Sequence, residues 1–493
     1  MKRVFAAVCL TVLGVSALPH VAAADERWFE IKSPHFTVWS NAPDGNTRTL
    51  VWQLEQIRSA IAVVWPWAKV EMAKPLMVVA VKDEAGIKAL APEYWEQKRG
   101  VRPVSVWVSG ADQHYMVIRA DIRGDDNATL NPHTSAYFTY VNLILQASFD
   151  RDLPLWFARG LAGVLSNTLV RNDHIAIGAP IPWHIEEMRA RRPFPLTRLV
   201  ALTRESPEYT QGDGLGKIDA QSWAFVHYLM FGAKGAHQAR VNRLASLLAS
   251  GRPAGEAVAE ALGRIEDFER PFADYVERYI FSYQKALVDA SVKRERFAAR
   301  PIPPAEAAAG RAAFHVAMRR PAEARSLLDA ARQANPSEPG VFIAEALQAD
   351  MDGRRDDAKA AYLKGVELGS SNAYAHYRAA VLHWPRPDAA ALPLMEKHLA
   401  RAVELSPAFA PAYANLAEVR AWLKRPTAEI MPLLATAVKL EPRNPWHRLA
   451  GARVLWRLGS PEEARKTAET ALTLADSDAA RSEAQQLLAA IGK

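Results

Sequence analysis

The sequence predicts an α+β N-terminal domain followed by an all-α solenoid of helix-pair repeats. Three observations predict it. Short β-rich runs alternate with a helical pattern up to about residue 130, two helical patterns follow each other directly after residue 132, and helix-turn-helix units recur from about residue 305. The 493 residues, 49% hydrophobic and 23% charged, have ordinary globular composition with room for two or three domains.

Residues 1–24 read as an address and not as fold. Lys2 and Arg3 form a basic start, Val4 to Leu18 is apolar, and Ala22-Ala23-Ala24 precede Asp25, the pattern of a secretory signal peptide cleaved after Ala24. An apolar core of roughly 15 residues is too short to span a bilayer, which takes about 20. The expected product is exported without an integral membrane segment, and periplasmic in a Gram-negative source. Cys9 is the single cysteine and lies inside this leader, so the mature chain is expected to hold neither disulfide nor thiolate metal site.

Residues 25–290 form the expected N-terminal domain, with 291–304 as a linker. Phe36-Thr37-Val38-Trp39, Leu76 to Val81, Val104 to Val108 and Tyr115 to Ile118 are short runs bounded by turn residues, expected to make a small mixed sheet. Between the first two, Thr49 to Trp65 is an amphipathic helix with Leu50, Leu54, Ile57 and Ile61 at helical spacing. Helices are expected over about 133–148 and 154–169, the second opened by Pro154, which loses no amide bond at a first turn. Beyond residue 132 only Ile175-Ala176-Ile177, closed by Gly178, reads as strand.

Residues 305–493 carry the repeats. Pro336, Pro407 and Pro442 follow the ends of helical patterns, with Ser370 and Asp476 at the equivalent points, giving steps of 34, 37, 35 and 34 residues. Alanine is about a quarter of this part, and Ala346, Ala358, Ala452, Ala464 and Ala471 fall where paired helices must approach closely; Tyr362 fills a neighbouring gap and Gly459 marks a turn. His383-Trp384-Pro385-Arg386-Pro387 explains the longer step as an insertion, because its prolines exclude continuous helix. The pattern resembles tetratricopeptide repeats, about five units with a capping helix at 479–491. That resemblance implies a protein or peptide partner held in a concave groove, for which Tyr374, His376, Tyr377, Asn415 and Trp446 are the exposed candidates on first helices.

A second resemblance rests on SPHFTVWSNAPD (33–44), LPLWFARGLAGVLS (153–166), QSWAFVHYLMFG (221–232) and FADYVERY (272–279). In order and spacing they are similar to the peptidase-MA-like domains of exported bacterial proteins, a gluzincin-like metallopeptidase fold. The resemblance covers roughly residues 26–285. It implies an H-E-x-x-H helix, whose histidines share Zn²⁺ one turn apart, followed by a helix supplying a carboxylate ligand. Matched on L-P-L-W, the first motif falls on Phe138-Thr139-Tyr140-Val141-Asn142 and the second on Ala158 to Gly163, with Arg159 at the carboxylate position.

Every one of those positions is replaced. Phe138 cannot ligate, Thr139 is no base near neutral pH, Asn142 is a poor zinc ligand and Arg159 repels a dication. Zinc is therefore expected to be absent, and no cofactor is expected. No displaced H-E-x-x-H occurs: His133 is followed by Thr134, His184 with Glu187 is a weak i, i+3 pair, and His227 reads as a packed core histidine. No G-x-S-x-G, G-x-x-x-x-G-K or G-x-G-x-x-G is present. Arg159 is expected to pair with Asp150 or Asp152, or else to line, with Tyr140 and Asn142, a former metal cleft that accepts an anionic group.

Net charge is +7, but residues 25–300 hold 34 basic and 32 acidic side chains, and residues 301–493 hold 25 and 22. Neither part is a basic domain, which argues against nucleic acid. The expected function is an exported pseudopeptidase acting as a protein-binding or scaffold protein through its repeats; the alternative is a zinc metallopeptidase with a non-standard ligand set.

Overall fold

The computed structural model describes residues 27–96, 102–122, 129–149, 152–211, 214–278, 280–384 and 387–492. The leader expected at 1–24, and Pro385 and Arg386 of the expected insertion, lie outside the described residues. No helix among the described residues is long and apolar enough to cross a membrane.

Among the described residues nine strands build two sheets: β1 Trp28–Lys32, β2 Thr37–Ser40, β3 Leu76–Val81, β4 Ser105–Ser109, β5 His114–Arg119, β6 Leu169–Val170, β7 His174–Ile177, β8 Gln284–Leu287 and β9 Ala298–Ile302. The larger sheet has the order β4-β5-β3-β2-β1-β9, with β2 and β5 parallel to β3 and the outer pairings antiparallel. The smaller is β6-β7-β8. Two expectations are corrected. The chain after residue 132 adds β6, β8 and β9 to the expected β7, and the segment expected as a linker over 291–304 contains β9, an edge strand paired with β1. Pro301 and the alanines of β9 give it no strand signature, and proline is tolerated there because the outer edge requires no amide.

Side chains alternate across the larger sheet. Ile31, Val38, Val78, Ala80, Met116 and Ile118 face a core built with the helices Asp44–Val64, Thr134–Ser148, Leu155–Ser166 and Gly214–Phe231. Leu50, Leu54, Ile57 and Ile61 are all buried on the first of these, so its apolar stripe is the one its spacing gives. Gly160 lets Leu155–Ser166 lie against Gly214–Phe231, since a Cβ there would overlap the Val226 side chain and sit 2.5 Å from the Ser222 carbonyl oxygen.

The opposite sheet face, with Trp28, Val79, Tyr115, Val117 and Ile302, is covered by the helix Pro304–Ala317 through Ala307 and Phe314. That helix opens a solenoid of five pairs among the described residues: Pro304–Ala317 with Pro321–Ala334, Pro339–Met351 with Arg355–Glu367, Ala373–Val381 with Ala391–Leu405, Ala410–Trp422 with Thr427–Leu440, and Pro445–Arg457 with Pro461–Leu474. A single helix, Asp478–Ile491, follows. Ala346, Ala358, Tyr362, Ala452, Ala464 and Ala471 are fully buried between the helices, as their positions require. The solenoid is tetratricopeptide-like, and it does not hang free. Arg320 bonds Leu90 O and Glu93, Asn372 Nδ2 donates to Asp112 Oδ2 at 2.9 Å, and Arg443 Nη1 donates to Ser250 O at 3.3 Å.

Candidate functional site

The two motif-bearing helices pack side by side, and their side chains are committed to one another. Phe138 and Asn142 share a face one turn apart. Asn142 Nδ2 donates to Phe138 O at 2.9 Å, so its amide closes on its own helix. Arg159 lays its guanidinium over the Phe138 ring, 5.2 Å from the centroid, and its Nε and Nη2 meet the two carboxylate oxygens of Asp219. Thr139 is half-buried beside them. The expected partners Asp150 and Asp152 are thus replaced by Asp219, carried by Gly214–Phe231; Asp150 lies outside the described residues.

The expected cleft of Tyr140, Asn142 and Arg159 is also corrected. Residues i and i+2 of a helix point to different faces. Tyr140 accordingly leaves Asn142 and Arg159 and packs on Phe36, with ring centroids 5.5 Å apart. The histidines do not rescue a metal site. His184 lies against Trp223, and burial with the Arg159 charge pushes its pKa down to about 4, while Glu187 turns to Arg191 at 3.1 Å. His227 is fully buried, with Nδ1 2.7 Å from Tyr275 Oη and Nε2 2.8 Å from Gly178 O, as a core histidine should be. His133 is buried at the start of its helix, with its pKa pushed down to about 4 by desolvation. The side chains at the motif positions do not fit a zinc ion: they offer an aromatic ring, an engaged amide and a paired cation.

A large opening lies elsewhere. A cavity of about 1480 Å³ lies between the N-terminal domain and the inter-repeat turns of the solenoid, walled by Trp28, Trp39 and Tyr140 on one side and Tyr374 and Phe409 on the other. At one end the Asp112 carboxyl, buried against Tyr115 and Asn372, has its pKa raised by desolvation. At the other, His35 projects from the β1–β2 turn, with Nδ1 2.7 Å from Oε2 of the buried Glu55. The sequence singles out none of these three residues, although His35 lies in the run SPHFTVWSNAPD.

On the solenoid, Tyr374 and Tyr377 are half-buried, with ring centroids 6.3 Å apart. Tyr377 packs at a tilt on Phe409, ring centroids 4.9 Å apart, and accepts from Asn415 Nδ2 at 3.2 Å, so three expected groove residues form one contiguous surface from unit to unit. Trp446 is 44% exposed. His376 is corrected: it is buried, with Nδ1 3.0 Å from His398 Nδ1 on the partner helix of its own pair. Ion pairs that the sequence does not reveal link successive units, Arg378 with Asp350 at 2.6 Å and Arg453 with Glu418 at 2.6 Å.

No protein-family model matches the chain. One similar curated protein is cellulose synthase operon protein C of Pseudomonas fluorescens (strain SBW25), 32% identical over 154 residues. The match takes in 30% of this chain and 12% of that protein, so the chain spans only a small part of that relative's length. Among solved structures, the chain is similar to YrrB, a TPR protein with an unusual peptide-binding site (15% identity, 36% of this chain and 90% of that one, TM-score 0.31). It is also similar to TTC0263, a thermophilic TPR protein of Thermus thermophilus (21% identity, 38% and 99%, TM-score 0.27). Pseudomonas aeruginosa pilF is a further neighbour (17% identity, 38% and 89%, TM-score 0.28).

Proposed function

We propose that the chain is an exported pseudopeptidase: a peptidase-like fold, without metal ligands, that carries a tetratricopeptide-type solenoid to bind a protein or peptide. One observation carries the non-catalytic part. The position where the resemblance requires a metal-neutralising carboxylate holds the Arg159 guanidinium, already neutralised by Asp219. A zinc ion there would face a cation whose counter-ion is spent.

The binding part is supported by the solenoid itself, whose Tyr374, Tyr377 and Asn415 line up across unit boundaries. Fold alone does not fix function. The likeness to a cellulose synthase operon protein brings no substrate with it. Export rests on the leader pattern of residues 1–24.

Metal analysis of the purified chain is the test. Zinc well below one equivalent, with no chelator-sensitive proteolysis, is the expected result. One tightly held zinc per chain would overturn the reading and favour a metallopeptidase with a non-standard ligand set. For the binding part, crosslinkers placed at Tyr374 and Trp446 should trap one and the same partner, and should trap none if the solenoid is only structural.

A further inference from the structure

Four side chains from four separate elements meet at the N-terminal-domain end of the interdomain cavity. His35 comes from the β1–β2 turn, Arg58 from the helix Asp44–Val64, Tyr140 from Thr134–Ser148 and Glu71 from the segment before β3. Behind them Glu55, three residues before Arg58 and on the same helix face, is 1% exposed. Its Oε1 accepts from Ser33 Oγ at 2.6 Å and from His35 N at 2.8 Å, and its Oε2 accepts from His35 Nδ1 at 2.7 Å. A carboxylate so surrounded fixes the imidazole, leaving Nε2 as the atom presented to the cavity.

We infer that Arg58 and Tyr140 form a binding subsite for the carboxylate of a peptide ligand, with the His35 ring fixed by Glu55 as its side wall, and that Glu71 is its internal stand-in. The Glu71 carboxylate already sits where such a ligand would: its Oε1 pairs with Arg58 and lies 4.0 Å from His35 Nε2. Arg58 is 11% exposed on a helix, whereas Glu71 is 73% exposed on a segment without regular structure. An exposed carboxylate gains little from such a pairing and is readily displaced. Exchange for a ligand carboxylate conserves charge, because Glu55 stays with His35 and only the partner of Arg58 changes.

Tyr140 supplies the independent observation. It is 1% exposed, lines the cavity, and its hydroxyl has no hydrogen-bond partner among the described residues. That hydroxyl faces the cavity, where it can donate to a ligand acceptor in place of solvent. Of the three acidic side chains that the solenoid brings to the wall, Glu306 pairs with Arg300 at 2.5 Å, Glu441 with His447 at 2.8 Å, and Glu338 accepts from Gly340 N at 3.3 Å. The cavity exceeds the roughly 300–1,000 Å³ of small-molecule pockets, which suits a peptide segment.

This inference rests on the reading of the chain as a peptide or protein binder and names where an acidic group of that partner docks. The experiment titrates the full chain with three peptides: acetyl-Ala-Ala-Ala as free acid, the same peptide as its amide, and acetyl-Ala-Asp-Ala amide. The free acid or the Asp peptide should bind and the neutral amide should not, the tighter of the two acids naming the source of the carboxylate. Glu71→Gln should tighten binding a few-fold, since the internal carboxylate then no longer competes for Arg58. Tyr140→Phe and Arg58→Gln should weaken it. Binding indifferent to the terminal amide, or acid binding unchanged in both Glu71→Gln and Tyr140→Phe, would overturn the subsite; these two changes keep the test independent of whether Arg58→Gln folds. Partner trapping at Tyr374 and Trp446 with no acid selectivity overturns the subsite alone, and acid selectivity with no partner trapped overturns the scaffold reading alone.

Discussion

Arg159 and Asp219 hold each other across the contact between the helices Leu155–Ser166 and Gly214–Phe231, each side chain 22% exposed. Removing one partner leaves the other charge partly desolvated and unpaired. Asp219→Ala should therefore destabilise the protein by about 1–3 kcal/mol, the cost of an orphaned, largely buried charged group. Arg159→Met combined with Asp219→Ala should recover most of that loss. Urea unfolding of the single and double variants decides it, and strictly additive losses would mean that the pair is not coupled.

Trp39 and Gly310 set the seam between the sheet and the solenoid. A Cβ at residue 310 would run into the edge of the Trp39 ring, so the helix Pro304–Ala317 reaches the sheet only because that position is bare. Gly310→Ala should cost about 1–3 kcal/mol, the usual penalty of forcing an extra carbon into a packed contact. Limited proteolysis should show faster cleavage near 298–304, and a cleavage rate equal to wild type would show that the seam tolerates the change.

The turns within the helix pairs carry left-handed residues: Arg319 at φ 57°, Gly353 at 74°, Lys424 at 55° and Gly459 at 82°. Two of the four bear side chains that disfavour this conformation. Lys424→Gly should stabilise by about 0.5–1 kcal/mol, the left-handed strain relieved less the extra chain entropy that glycine loses. Gly459→Ala should do the reverse. Thermal midpoints of the two variants should move in opposite directions.

The repeat architecture is legible in the sequence because its signals are local: prolines after helix ends at a near-constant step, and alanines such as Ala346 and Ala358 at the contact between helices of one pair. The strand β9 is not, because Pro301 and a run of alanines look like the solenoid beside them, and its partner β1 lies at the other end of the domain. Arg159 is visible as a cation, but its sequence neighbours Asp150 and Asp152 are the only partners that local reasoning offers, whereas packing supplies Asp219. The His35, Glu55, Arg58 and Tyr140 cluster has no period at all; its members become neighbours only once the β1–β2 turn, one helix and another are assembled. His376 is misplaced for a simpler reason, since on a helix packed on more than one side the exposed face is decided by the partner helix and not by the residue type.

Stability should depend on pH from two sides. His227 is fully buried, and desolvation lowers its pKa to about 4, although Nε2–H donates to the Gly178 carbonyl. A ring whose pKa falls on folding adds stability that is complete above the unfolded value, near 6.5, and is lost as pH falls toward 4, because the unfolded chain then binds the extra proton. That shift corresponds to about 3 kcal/mol at most for His227, and His133 and His184, also pushed to about 4, act in the same window. Asp112 acts in the opposite sense. Burial raises its pKa, so the folded state holds its proton more tightly, and that stabilisation is lost as pH rises through the raised value. Asp112→Asn should keep the histidine limb and steepen it, by removing the opposing slope of a carboxyl whose pKa is raised above 3.8, relieve the penalty at neutral pH, and keep a bond between residues 112 and 372, because an amide can still accept from Asn372. Urea midpoints for wild type and Asp112→Asn across pH 4 to 8 test both limbs at once: curves that stay parallel throughout would exclude Asp112 as a titrating group of the seam, and a wild-type midpoint flat below pH 6.5 would exclude the buried histidines.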